Sequence, residues 1–125
     1  MSLEAKLVDQ LTTHAGLRAL IADRLYPIAL PQKPTLPAVE YSQVTSKRIY
    51  SQSGYSNLQR PRFQFNCWAA TNLEALTLKD QLITTLHSMA GDGIKVAFIQ
   101  NDFTMAEPLS KTFKRVVDAF IWYEE

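Results

Sequence analysis

Among the titratable side chains of this 125-residue chain, Asp118 occupies the least ordinary place. It lies within Arg115-Val116-Val117-Asp118-Ala119-Phe120-Ile121-Trp122-Tyr123, where an unpaired charge among aromatic and β-branched neighbours costs several kcal/mol. Such a carboxylate is either a perturbed acid, which needs a second titratable group, or one half of an ion pair. Nothing in the spacing brings His87 or any other titratable group to it, so the expectation is an ion pair with Arg24, Arg60 or Arg62. The other histidine, His14, is too distant in sequence from His87 to suggest a metal-ligand spacing. Cys67, the one cysteine, excludes an intramolecular disulfide and reads as a small hydrophobe within a strand rather than a reactive thiol. Asp9, Asp23, Asp80 and Asp102 fall in helical or loop stretches where solvated carboxylates are commonplace. There is no Gly-rich phosphate loop, nucleophile elbow or paired-histidine motif. The sequence therefore predicts no catalytic, cofactor-binding or metal-binding residues, and a protein that is not an enzyme.

A second group of residues has a different chemistry. Lys47, Arg48, Arg60 and Arg62 bracket a polar stretch that carries Ile49, Tyr50 and Tyr55. Cations interleaved with aromatic rings can hold single-stranded nucleic acid, so a small nucleic-acid-binding module using the strip around residues 47–62 is the alternative reading. Thirteen basic and twelve acidic residues give a net charge of +1, which provides no broad field for DNA, RNA or anionic membrane. The stretch from Thr45 to Leu58 is longer than most hairpin connections. It is read as a long loop at about 45–58 that contacts a neighbouring subunit, the other reading being an extended hairpin tip. Lys47, Arg48, Ile49, Tyr50 and Tyr55 are its expected interface residues.

These residues need elements to position them. Leu3, Leu7, Val8 and Leu11 recur at helical spacing, with Gly16 placed as a C-cap, and Leu17, Leu20 and Ile21 suggest a second, shorter helix. Pro31, Pro34 and Pro37 predict an extended crossing that delivers the chain to a first strand, Ala38 to Val44. Arg62 to Ala69 reads as a second strand. Thr71-Asn72-Leu73-Glu74 is a capping box, after which Ala75, Leu78, Leu82, Leu86 and Met89 form one stripe of a helix that ends at Gly91-Asp92-Gly93. That stripe is expected to pack on Phe63 or Phe65 and on Val117 or Ile121. Ile94, Val96 and Phe98 alternate as a third strand, Glu107-Pro108 marks a turn, and Phe113 to Tyr123 is the fourth.

In the fourth strand Val117, Ala119, Ile121 and Tyr123 share one face, and Val116, Asp118, Phe120 and Trp122 share the other. A strand apolar on both sides must be covered on both sides, so one pair, Phe120 with Trp122 or Ile121 with Tyr123, is expected at a subunit contact or under the N-terminal segment, and Phe120 and Trp122 join the expected interface residues. The order α-α-β-β-α-β-β predicts an α+β fold, a mainly antiparallel four-stranded sheet with helices packed on one face, as a single domain over residues 1–125. A chain of this length and 46% hydrophobic content buries roughly two thirds of its unfolded surface without staples. No apolar run reaches the roughly 20 residues of a membrane helix, and no signal-peptide pattern opens the chain. The expectation is a soluble protein of a reducing compartment, with no membrane partner.

Several blocks, taken in order, carry a resemblance. Asp23-Arg24-Leu25-Tyr26-Pro27, Leu36-Pro37-Ala38-Val39-Glu40-Tyr41, Arg62 to Ala69 with Asn72 and Ala75 following, and Asp118 to Tyr123 are together similar to the tail-completion, or head-to-tail joining, proteins of long-tailed bacteriophages and prophages. Ala38 departs from the pattern, where an aromatic residue more often follows the proline. The resemblance implies a structural virion component, without cofactor, that caps the head-proximal end of the tail tube as a ring of six copies. Its partners would be itself, the tail-tube protein and the head connector protein, with DNA only passing through the channel. It would be located in the virion tail, and in the host cytoplasm during assembly.

Overall fold

The structure is a computed structural model and describes residues 3–28, 35–89, 93–107 and 112–124. Its helices are α1 (Leu3–Thr13), α2 (Ala15–Ile21) and α3 (Asn72–Ser88). Its strands are β1 (Leu25–Pro27), β2 (Ala38–Thr45), β3 (Arg48–Ser51), β4 (Gly54–Gln59), β5 (Arg62–Ala69), β6 (Ile94–Glu107) and β7 (Thr112–Glu124). The α+β class and the helices stand as expected, but the sheet has seven strands and is mixed rather than four-stranded and antiparallel. The difference has two sources. Leu25–Pro27 adds a short strand parallel to β2, too brief to show a period of its own. The stretch read as a loop at 45–58 forms the β3–β4 hairpin.

The path β1-β2-β5-β7-β4-β3 shows how β7 organises the molecule, with β6 on its other side. Residues Phe113 to Phe120 of β7 pair with β5, and Tyr123 and Glu124 pair with Gln59 and Leu58 of β4. Arg60 and Pro61 bridge β4 and β5. Pro61 has no N–H to give to a ladder, but its carbonyl accepts from Ile121 N at 3.0 Å, and Arg60 N donates to Lys47 O at 2.7 Å. The strands β2–β3 and β4–β5 thus form one long hairpin, bent at residues 46–47 and 60–61. Its distal half extends beyond the core, with Tyr50 68% exposed.

The core lies between the helices and one sheet face. Phe63, Phe65 and Cys67 of β5 and Val117, Ala119, Ile121 and Tyr123 of β7 turn to that face, where Leu78, Leu82 and Leu86 of α3 meet them, all buried. Leu7 and Leu11 of α1 and Leu17 and Ile21 of α2 complete the cluster. The expected packing of α3 on β5 and β7 is what the structure shows. Thr71 caps α3 as its sequence implies, with Oγ1 accepting from Glu74 N at 3.1 Å. Lys6 ties α1 to the sheet, donating to the Tyr123 hydroxyl at 3.0 Å while lying over its ring.

Two glycines have jobs that sequence alone assigns poorly. Gly16 does not terminate α1; it lies inside α2 beside the flexible end of the Gln81 side chain of α3, which a Cβ there would push aside. Gly93 has φ +88°, and a Cβ there would meet the Glu124 carbonyl. It starts β6 tightly against the end of β7, and Glu124 N donates to its carbonyl at 2.8 Å. Helix α3 closes at Ser88 with Met89 as C-cap, and the expected stop at Gly91-Asp92 falls outside the described residues. The proline-rich crossing lies outside them over 29–34, as does Pro108 of the expected turn.

Candidate functional site

The sheet face turned away from the helices carries the features of interest. Cross-strand partners share a face, and this one runs through Val96 and Trp122, Phe98 and Phe120, and Asn101 and Asp118. On β5 it continues through Arg62, Gln64 and Asn66. Toward β2 it is polar: Glu40 Oε1 accepts from Asn66 Nδ2 at 2.8 Å and Trp68 Nε1 at 3.1 Å, and Gln64 Nε2 donates to Asn66 Oδ1 at 3.2 Å. Lys114 lies over the Trp68 ring at 5.0 Å.

Asp118 sits between these regions. Its residue is 5% exposed, and its Oδ2 accepts from Arg62 Nη2 at 3.1 Å, which selects Arg62 from the arginines expected to pair with it. Arg24 is used elsewhere, donating to the Pro37 and Leu20 carbonyls. Arg60 stacks over Phe120 at 4.7 Å and Trp122 at 5.7 Å. The cations of the expected nucleic-acid strip therefore divide: Arg60 and Arg62 are held by the sheet, while Lys47 and Arg48 are exposed on the hairpin.

Toward the hairpin the face becomes apolar. Leu58, Val96, Phe98 and Trp122, with the stem of Lys95, line an open groove that presents apolar surface. Phe98 is 55% exposed and Phe120 and Trp122 are half-buried. The expected interface residues fall into two places, Phe120 and Trp122 on this face and Lys47, Arg48, Ile49, Tyr50 and Tyr55 on the hairpin. Tyr50 and Tyr55 pair across the hairpin with ring centroids 5.6 Å apart. Ile49 opposes Leu58 and so extends the apolar face to β3. The residues missed from sequence are Leu58, Val96 and Phe98. They were legible only through the register that sets Val96 beside Trp122 and Leu58 diagonal to it.

The groups with catalytic potential are dispersed. Val117 faces the helices, so Asp118 faces away from α3, which carries His87 on its exposed side. His14 Nδ1 is within 3.2 Å of Thr85 Oγ1, an α2–α3 contact. Cys67 is buried, and that burial pushes its thiol up to about 12, with Lys79 opposing the shift. Burial, and secondarily the Glu4 carboxylate, raises the Tyr41 phenol. Among the described residues no cluster of His, Cys, Asp and Glu could hold a metal, and no helix is long and apolar enough to cross a membrane.

The family model described as Tail completion protein gp17 matches residues 5–124. A chain in the solved virion of a native gene transfer agent (GTA) particle is similar in fold, with a TM-score of 0.79 at 15% identity, over 99% of this chain and 96% of that one. No curated protein matches the chain.

Proposed function

We propose, from the premise that this chain belongs to the tail completion protein gp17 family and has a structural role in a phage tail, that it caps the head-proximal end of the tail tube as a ring and joins the tail to the head connector. The observation that carries the reading, beyond family membership, is the division of β7 into two apolar faces. One is filled by the chain's own helices, while Phe120 and Trp122 on the other lie beside an open groove. A surface of that kind on a small chain suits a partner subunit. Six copies, the tail-tube protein and the head connector as neighbours, DNA passing through the channel, and assembly in the host cytoplasm belong to the same proposal.

Particles produced with and without this protein and compared by electron microscopy test it. Tails of uncontrolled length, or finished tails that fail to join heads, are expected in its absence. Normal tails joined to filled heads would overturn the capping and joining role. The nucleic-acid-binding alternative predicts DNA affinity that falls steeply with salt. It is weakened by the engagement of Arg60 with Phe120 and Trp122 and of Arg62 with Asp118.

A further inference from the structure

At the end of the molecule where β7 meets β4, the sheet is a four-strand layer in the order β6-β7-β4-β3. Among the described residues neither of its edges pairs with a further strand. β6 is a fourteen-residue strand whose only partner among the described strands is β7, and β3 pairs only with β4. An open edge presents a row of unpaired N–H and C=O groups, and natural proteins usually blunt such edges with charge, proline or a cover. Here β6 exposes Val96, Phe98 and Phe103 by 37%, 55% and 40%, while Lys95 pairs within the chain with Glu124 at 3.3 Å and Asp102 with Lys79 at 3.9 Å. The apolar belt of the layer runs from Ile49 through Leu58 and Trp122 to Val96, reaching both edges on the same face.

We infer that β3 of one copy adds to the free edge of β6 in the next, near Val96 to Phe98, so that copies join head to tail through a continuous sheet. Three features point to a second copy as the occupant. The two open edges lie on opposite sides of one layer, so the contact is heterologous and propagates to a ring when the rotation between copies closes. The three antiparallel pairings within the layer make β3 antiparallel to β6. A rotation axis lying along the strands preserves that direction, so the new pairing is antiparallel too, like its neighbours. The side chain of Ile49 would then continue the apolar belt onto Val96 and Phe98 of the adjoining copy. This rests on the ring reading and adds to it which edges meet.

Cysteine pairing in the full-length chain tests the contact. Two single variants, Ile49→Cys and Phe98→Cys, are mixed under oxidising conditions in the presence of tail tubes, with Val96→Cys covering the neighbouring same-face register. Directly opposed strand residues have Cβ atoms close enough for a disulfide, and buried Cys67 stays silent. The expected product is a disulfide-linked heterodimer that forms at least tenfold more than the homodimers of either variant alone, and a ladder of multimers from the double variant. Amides in residues 94–100 should also exchange with solvent at least tenfold more slowly in the assembled form. Predominant Phe98→Cys homodimers would overturn the proposal in favour of a symmetric β6 contact. Rings or capped tubes visible by microscopy without the cross-link would overturn the edge contact and leave the ring standing. Absence of any assembly, free or on tubes, would overturn both.

Discussion

Replacing Arg62 with methionine should destabilise the folded chain by about 3 kcal/mol, and replacing Asp118 with leucine by clearly less. At 3.1 Å and an effective dielectric of about 20, the pair attracts by about 5 kcal/mol, most of it offset by the desolvation of both groups. The offset is unequal. The Asp118 side chain is 7% exposed and that of Arg62 is 33%, so a freed guanidinium regains water whereas a freed carboxylate does not. Asp118 Oδ1 already has no partner among the described residues, so loss of Arg62 leaves the whole carboxylate without a strong donor. The partial exposure of Arg62 places the cost at the low end of that for breaking a buried pair. The double variant Arg62→Met/Asp118→Leu should return to within about 1 kcal/mol of the parent, because two apolar side chains need no partner. Urea unfolding followed by tryptophan fluorescence, with unchanged slopes, reads each difference from its midpoint. An Arg62→Met cost below about 1 kcal/mol, or an Asp118→Leu cost above it, would refute the reasoning.

Leu82 is fully buried, so Leu82→Ala should cost about 3 kcal/mol in the same assay, and a near-silent substitution would contradict the core position of α3. The Cys67 thiol is raised from 9.0 to about 12, so its neutral form is favoured in the folded state. That contribution is complete below pH 9 and is lost as pH rises toward 12. Cys67→Ala should remove this part of the alkaline decline, and thiol reagents at pH 8 should label the parent only on unfolding. Trp122→Glu should leave circular dichroism of the monomer unchanged and reduce ring assembly on tail tubes, since Trp122 borders the open groove. Normal assembly would remove this face from the interface.

Long periodic patterns were legible in the sequence because one covering surface determined them. The α3 stripe from Ala75 to Met89 and the alternation of Phe63, Phe65 and Cys67 both answer to a single helix–sheet interface. The capping box was equally clear, because Thr71 and Glu74 act within one turn. What escaped were features that arise between distant segments. The three residues of β1 are held parallel to β2 by a ladder no local pattern announces. The hairpin at 48–59 is only the second reading of its stretch, behind a loop, because its strands are polar and short and its ladder slips between Ile49 and Tyr50. Gly16 reads as a cap because nothing in its own neighbourhood marks the second helix that starts one residue before it. The apolar outer face was half legible for the same reason: Phe120 and Trp122 can be read within one strand, while Leu58, Val96 and Phe98 join them only through register.

The bend at Arg60-Pro61 divides the chain mechanically. Below it, β5 and β7 share an eight-residue ladder backed by α3; above it, the hairpin's described ladder to β7 is the two residues Leu58 and Gln59, with Arg60 N and Lys47 O closing its neck. Cooperative units open at a free energy set by the apolar contacts and hydrogen bonds that must break, and the distal unit has few of either. The hairpin is therefore expected to open at a lower free energy than the core, which faster amide exchange in residues 48–59 would show. On the proposed ring reading, a neighbouring copy that clamps the arm would supply the rigid geometry that its own few contacts to the core do not.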